Sequence, residues 1–407
     1  MRFGHSIALA CLVASVVACA DGRNSAPSLV VRDSAGIRIV ENASPVWGGD
    51  PGWRIDPIRV TIGSAGDAPG QQLHRVTGAV RLRDGRIVIA NSASSELGLY
   101  GSDGSYLGSV GGSGEGPGDF RSLGWLGQSS QDSLLTWDLR LNRVAVFTGA
   151  GEYVRDYLVS LPLPEAVTGG VALGSLDAGR IVFSRGGSFA PVEGSGVQRQ
   201  PLSAWVVSAA GEVEREFGPF PGESVNLRAG QRPGMIIRTP VPFGAATLIA
   251  AGTDRIYVTD NGRYDIHVYA PDGHLQQIVR RPHELLALLP EDIAADLEAR
   301  LESLPPVEEI RAGSRASYEA VPKPQFMPAV RSLMVDREGC LWVEASRHMH
   351  EPLATWSVFD RDGLWLGDLA LAAGLEPLEI GWDYLLLRRQ DDLSVESVLV
   401  IPLRRGR

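Results

Sequence analysis

The chain repeats one cadence: four short apolar runs parted by turns, then the same four again. In "GAVRLRDGRIVIANSASSELGLYGSDGSYLGSV" (78–110) an alternating run ends at the pair Asp84-Gly85, and a second run covers Ile87 to Ile89. A polar loop then leads to a third run ending at Tyr100, and "SDG" opens a fourth. Alternation at period two with Asp-Gly turns is the pattern of antiparallel strands joined as hairpins. "DSLLTWDLRLNRVAVFTGAGEYVRDYLV" (132–159) and "DRIYVTDNGRYDIHVYAPDGHLQQIV" (254–279) repeat it, and "EGCLWVEASRHMHEPLATWSVFDRDGLWLGDL" (338–369) does so with a longer loop. The first and second turns keep their separation: Gly85 to Gly104, Asp132 to Gly151 and Asp254 to Gly273 are each 19 residues apart. Copies in constant register imply supersecondary units that stack on one another.

A looser copy runs from "GGVALGSLDAGRIVFSRGG" to "LSAWVVSAAGEVEREF", its middle loop lengthened by residues 186–201, which read as a surface excursion. The C-terminal "LEIGWDYLLLRRQDDLSVESVLVIPL" holds only three runs, and "WRIDPIRVTIG" (53–63) is the simplest source of the fourth. Such pairing of the chain ends closes a ring and leaves no long edge for other chains. The expected fold is therefore all-β: a six-bladed β-propeller over 37–407, closed by an N-terminal strand. "GIRIVEN" adds one further strand. Between the fourth and fifth units, "PEDIAADLEARLESL" spaces Ile293, Leu297 and Leu301 four apart behind Pro290, which predicts a helix inside an insertion of about 283–322. Its apolar stripe is read as packing over one end of the ring, with partner binding as the alternative.

The first 18 residues carry Arg2 and the apolar run "IALACLVASVVA", the pattern of a targeting segment rather than of fold. Residues 19–36 then read as a tether. Cys11 lies in the targeting segment and Cys19 just after it, so Cys340 is the single cysteine in the part expected to fold and no intrachain disulfide is available there. Acidic residues outnumber lysine and arginine by 48 to 38, and Lys323 is the one lysine, a balance that argues against a nucleic-acid partner.

"VVAC", ending at Cys19, resembles the lipobox of bacterial lipoproteins, in which the cysteine takes the lipid. "WDLRLNRVAVFTGAG" and "TDNGRYDIHVYAPDG" are similar to NHL-type repeats, and "GGSGEGPGDF" (111–120) resembles the interblade signature of bacterial six-bladed β-propeller lipoproteins. "PAVRSLMVDREGCLWVEAS" resembles a blade opening of that group. The resemblance implies a lipid-anchored, extracytoplasmic propeller, and Ala20, rather than an acid, after Cys19 points to the outer membrane, facing the periplasm. The resemblance does not name an activity, since that group contains both binding proteins and enzymes. The glycines of 111–120 are assigned to the path from an outer strand back to an inner one. A phosphate cradle is not supported, because no helix follows and no G-K-[ST] occurs.

Four residues beyond Ile87, Leu134, Ile181, Ile256, Leu341 and Leu385 lie Asn91, Asp138, Arg185, Asp260, Ala345 and Arg389, at the loops joining second to third strands. Arg140, Arg263, Arg347 and Arg388 lie close by. One reading takes Asn91, Asp138, Arg140, Arg185, Asp260, Arg263, Arg347 and Arg388 as a ligand ring for a saccharide, a small acid or a protein partner, with R140A and R263A abolishing uptake. The plainer reading pairs these arginines with Asp138, Asp260 and Glu344 as salt bridges. The favoured function is a binding or interaction module without catalysis and without a cofactor. The alternative is a lactonase-like hydrolase or lyase, the resemblance implying a divalent cation among Asn91, Asp138 and Asp260. "RHMHE" offers His348, His350 and Glu351 as a different metal cluster. Trp137 is weighed between core and a stacking surface for a sugar, and Cys340 is read as a buried small apolar residue.

Overall fold

The computed structural model describes residues 29–48, 52–63, 68–129, 132–163, 169–186, 194–230, 232, 235–391 and 394–406. The targeting segment, Cys19 and most of the expected tether lie outside them. The chain is mostly β and forms a succession of antiparallel sheets, an arrangement consistent with a β-propeller. β1 (Leu29–Ser34) and β2 (Ile37–Asn42) form a hairpin, followed by the short β3 (Trp53–Ile55) and β4 (Val60–Ile62). A first sheet holds β5 (Val76–Arg81), β6 (Ile87–Asn91), β7 (Glu96–Tyr100) and β8 (Tyr106–Val110). A second holds β9 (Leu123–Gln128), β10 (Leu134–Asp138), β11 (Arg143–Phe147) and β12 (Tyr153–Leu158).

The third sheet runs β13 (Val171–Ser175), β14 (Ile181–Gly186), β15 (Gly196–Val207), β16 (Val213–Ala229) and β17 (Ile236–Pro240). Part of the stretch expected as an excursion is strand here. Residues 196–199 pair with 224–227, so β15 and β16 extend beyond the four-strand unit as a long hairpin flanked by β17. A fourth sheet holds β18 (Thr247–Gly252), β19 (Arg255–Asp260), β20 (Asp265–Tyr269) and β21 (Leu275–Arg280), and β2 adds to β21 in parallel. The strand expected from "GIRIVEN" is therefore present, and β1 occupies residues that the sequence had left as tether.

Two helices follow, α1 (Pro290–Glu302), with Pro290 in its first turn, and the unanticipated α2 (Glu308–Glu319). A fifth sheet holds β22 (Val330–Val335), β23 (Leu341–Ala345), β24 (Leu353–Phe359) and β25 (Trp365–Ala372). The last holds β26 (Leu375–Ile380), β27 (Tyr384–Gln390) and β28 (Glu396–Arg405). Its missing strand comes from the N-terminal part, for Ile62 pairs with Val398 and Ile55 with Leu403.

Turn chemistry explains where each strand stops. Gly151 adopts φ +87° between β11 and β12, a backbone region that side-chain-bearing residues avoid. After Asp84, Asp103 and Asp272, the residue beyond the glycine donates its N–H to the aspartate carboxylate at 3.0 Å, fixing the turn locally. The glycine-rich 111–120 folds into a compact return from β8 to β9. Gly111 has φ +84°, and a Cβ there would stand 2.6 Å from the Phe120 ring. Its carbonyls, rather than its N–H groups, converge: the Arg143 guanidinium donates to Glu115 O at 3.0 Å, Gly116 O at 3.1 Å and Asp119 O at 2.6 Å. A loop that offers carbonyls to a cation is unsuited to phosphate.

Among the described residues, six apolar clusters lie between the sheets. Val88 and Leu97 of the first sheet meet Leu134 and Phe147 of the second, and the same burial joins second to third, third to fourth, fourth to fifth and fifth to last. The sixth cluster joins last and first: Leu386 and Val398 pack with Ile87 and Ile89, with Ile62 of β4 among them. Each fully buried Val, Leu, Ile or Phe contributes about 1.5–3 kcal/mol, so these seams dominate stability. Outside them the N-terminal segment runs over the outer edges of three sheets in turn. The Asn42 side chain donates to Gly363 O and accepts from Trp365 N, and Trp47 N donates to Leu366 O. Trp47 then stacks near Trp53, which packs on Trp342.

α1 docks through Asp292, which is buried and accepts from Leu289 N, Met349 N and the His348 ring. Burial pushes its carboxyl up, but the hydrogen bonds from Met349, His348 and Leu289 outweigh this and hold it below the usual carboxylate range. Tyr318 of α2 donates to Asp296 at 2.8 Å and so ties the helices together.

Two outcomes follow. Ile62→Ala removes a side chain at the seam of last and first sheets and lowers unfolding free energy by about 2–5 kcal/mol in urea titration; an unchanged midpoint means β4 contributes nothing to that seam. Because Asp292 is depressed in the folded state, its stabilisation is present above about pH 4, the unfolded value, and is lost as pH falls through the lower folded one. Amide protection factors in α1, with the intrinsic pH dependence of exchange divided out, should therefore fall at low pH in the wild type, while in Asp292→Asn they should be low at every pH.

Candidate functional site

The first strands of the six sheets among the described residues face a shared cavity of about 400 Å³. Val80, Leu126, Gly174, Ala250, Met334 and Leu378, one from each, line it. It opens toward the turns that join first to second strands, through Ser129, Asp177, Thr253 and Arg337. Beside it, a cleft of about 680 Å³ lies between the first and last sheets, and Gln128, Ser129 and Arg337 belong to both walls. Both volumes are in the range of small-molecule sites.

Arg337 is the hinge between the two spaces. Its Nε donates to Glu379 Oε1 at 2.7 Å, and one terminal nitrogen contacts the same oxygen and Gln128 Oε1. Burial opposes the guanidinium charge, but Glu379 beside it, together with Tyr384 and Asp132, outweighs burial and raises its pKa. Glu379, itself buried, also accepts from the Tyr384 hydroxyl and from Arg81 N, both at 2.7 Å. Burial and Glu379 together push the Tyr384 hydroxyl far up, so it stays a donor. Gln128 in turn donates to Asp132 at 2.5 Å. The network thus joins the first, second, fifth and last sheets around one guanidinium, whose side chain keeps 35% of its surface exposed and faces the cavities.

The turn geometry shows how the chain presents these groups. In the hydrogen-bonded turns Leu82–Arg86, Leu176–Arg180, Asp336–Cys340 and Gly381–Tyr384, the second position is Arg83, Asp177, Arg337 and Trp382. Thr253 holds the same place after β18. A count from the first turn of each unit would have found them. The count taken from the second strand leads to the opposite end.

That opposite end carries the hairpin extension and the helix pair, and the eight residues chosen from sequence lie there. Asn91 bonds Gln72 O and His74 N. Asp138, buried, accepts from the N–H groups of Arg121, Ser122, Arg140 and Leu141, which makes it a loop organiser. Asp260 pairs with Arg199 of the third sheet at 3.2 Å and accepts Arg263 N through its carbonyl. Arg347 donates to His348 O and Glu351 O, and Arg388 donates to Val76 O and pairs with Glu376. Arg185 closes β14 at the same end and has partners of its own. Neither of the two turn-end spaces is lined by any of the eight. Glu344, expected to pair in this group, meets Arg331 at 3.6 Å.

Among the described residues, no three His, Cys, Asp or Glu side chains gather as a metal-binding group. His348 and His350 stack on each other at 5.6 Å, and His348 is engaged with Asp292. Cys340 is buried, and burial, with Asp336 adding to it, pushes its thiol up to about 12, the opposite of an activated nucleophile. Trp137 is core: it packs against Phe183 at 4.8 Å and donates to Gly170 O.

No family model and no curated protein matches the chain. Among solved structures, it is similar to a Bacteroides fragilis protein assigned as exported, with 12% identity, 90% of this chain and 99% of that one covered, and a TM-score of 0.48. A DUF4221-family member from Bacteroides vulgatus has 10% identity, covers 87% and 99%, and scores 0.45. Virginiamycin B lyase from Staphylococcus aureus has 11% identity, covers 86% and 99%, and scores 0.39. At these values no function transfers to this chain. No helix among the described residues is long and apolar enough to cross a membrane.

Truncating Glu379 leaves Arg337 and the Tyr384 hydroxyl without their shared acceptor. Glu379→Ala should cost about 3–5 kcal/mol in denaturant unfolding, against about 1–3 kcal/mol for Tyr384→Phe, and equal, negligible losses would deny the network its structural role.

Proposed function

We propose that the chain is an extracytoplasmic, lipid-anchored β-propeller of six blades that binds a ligand at the turn end of its channel and performs no chemistry of its own. The six seams, one of them between last and first sheets, support a closed ring. The pairing of β28 with β3 and β4 supports closure by the N-terminal part. The NHL-like cadence fits the same reading, and "VVAC" at Cys19 after the apolar run supports export and lipidation. Outer-membrane placement rests on Ala20, rather than an acid, after Cys19.

The observation that carries the binding function is Arg337, whose guanidinium forms part of the wall of two adjoining cavities while its backside is held by Glu379 and Gln128. A preorganised donor at the mouth of a ready-made cavity loses little entropy when it takes a ligand. The hydrolase or lyase alternative has weaker support. Asn91, Asp138 and Asp260, its ligands in the sequence reading, are each engaged with different partners: Asn91 with Gln72 and His74, Asp138 with the N–H groups of Arg121 and Leu141, and Asp260 with Arg199 of the third sheet.

The test is thermal melting of the purified protein against fractions of a bacterial envelope extract. A fraction that raises Tm for the wild type should fail with Arg337→Gln and still act on R140A and R263A. Loss of the shift in R140A and R263A but not in Arg337→Gln moves the site to the loop end. Stoichiometric calcium or zinc in elemental analysis puts the enzyme reading ahead.

A further inference from the structure

The cleft between the first and last sheets carries a feature that packing does not explain. Trp382 is 68% exposed at its rim. Large aromatic side chains are usually withdrawn from water, and an unpinned turn would let this one fold onto the surface. The turn beneath it is pinned. Arg405 donates to Gly381 O and to Trp382 O at 2.8 Å each, Gly381 N donates to Tyr384 O, and Leu403 N donates to Asp383 O. Arg405 is itself held by Asp336 at 2.9 Å and stacks over Trp53 at 4.3 Å. The indole is thus presented to solvent on a rigid base.

The cleft wall facing it is charged but balanced. Arg81 pairs with Asp383 at 3.3 Å and lies over the Tyr384 ring, Arg83 pairs with Asp132 at 3.6 Å, Asp84 with Arg86 at 2.7 Å, and Arg337 with Glu379. Charges cancelled over a few ångströms give an entering ion little net field. They do present guanidinium donors and carboxylate acceptors side by side. That suits a neutral ligand whose groups both donate and accept, and the exposed indole suits one that also has an apolar face. Hydroxyl-bearing rings with C–H faces combine the two.

We propose that this cleft is a binding site for neutral saccharides, with Trp382 as the stacking platform and Arg81, Asp383 and Arg337 as the hydrogen-bonding wall. The inference rests on the turn end being the binding end, and it adds the ligand class and the residue that selects it. Exposed Arg59 on the same wall is the feature that would favour an acidic sugar instead, so the test has to separate the two.

The full mature protein is applied to an array of neutral gluco-, manno-, galacto- and xylo-oligosaccharides alongside uronic-acid oligosaccharides, and the best-bound compound is titrated calorimetrically. Neutral glycans should bind. Trp382→Ala should weaken them about tenfold or more with an unchanged melting temperature, and Trp382→Phe should restore part of the loss. Binding confined to uronic-acid glycans, binding indifferent to Trp382→Ala, or no glycan bound overturns the proposal. An envelope fraction that still stabilises the wild type through Arg337 in that last case leaves the turn end as a binding site for another ligand class. A fraction that acts independently of Arg337 removes both.

Discussion

Every sheet of this protein is apolar on two faces, and burial of both faces is the constraint from which the rest follows. β10 is buried at all five positions and β6 at four of five, so neither tolerates water on either side. A row of such sheets ends with an unsatisfied face unless its ends meet. Here the last sheet packs on the first, and the strand it lacks comes from residues 60–62. The N-terminal segment then does a second task as it passes over the fourth and fifth sheets, where Asn42 and Trp47 tie outer edges that would otherwise be open to pairing.

Stacking also divides the molecule into two unlike ends. Antiparallel strands put the tight turns between first and second strands at one end and the longer connections at the other. The insertions accumulate at the longer connections, as the β15–β16 hairpin and the α1–α2 pair. Polar residues there are absorbed by the needs of long loops. Asp138 organises four backbone N–H groups, and Asp292 anchors a helix. The tight-turn end makes fewer such demands, because its turns are closed largely by their own backbone hydrogen bonds and aspartates, with Arg405 bracing the Gly381–Tyr384 turn. Side chains at the second turn position are therefore left to face the channel mouth.

The fold was legible to a large extent because its signals are local. Period-two alternation, Asp-Gly turns and the spacing from Gly85 to Gly104 and from Asp254 to Gly273 report on neighbouring residues, and so does Pro290 opening α1. α2 falls inside the helical insertion expected over about 283–322 but was not read as a helix of its own; of its side chains only Tyr318 is buried. Residues 196–201 were read as loop because glycine, serine and proline dominate their surroundings, although backbone pairing with 221–227 holds them extended. The eight candidate site residues lie at the end of the longer connections, where they serve loops and neighbouring sheets. Arginine beside carboxylate was anticipated, but at the end where these side chains already had partners.

What the sequence determined by itself is the repeating strand–turn register and the pairing demand of an incomplete last unit, since both are set by residues a few positions apart. What only the tertiary structure decided is which end of the channel stays open and which charges meet. Arg337 finds Gln128 across 209 residues, and Arg81 meets Asp383 across 302. Such contacts depend on how far each sheet is rotated against its neighbour, a quantity that side-chain packing in the seams sets and no short-range pattern encodes.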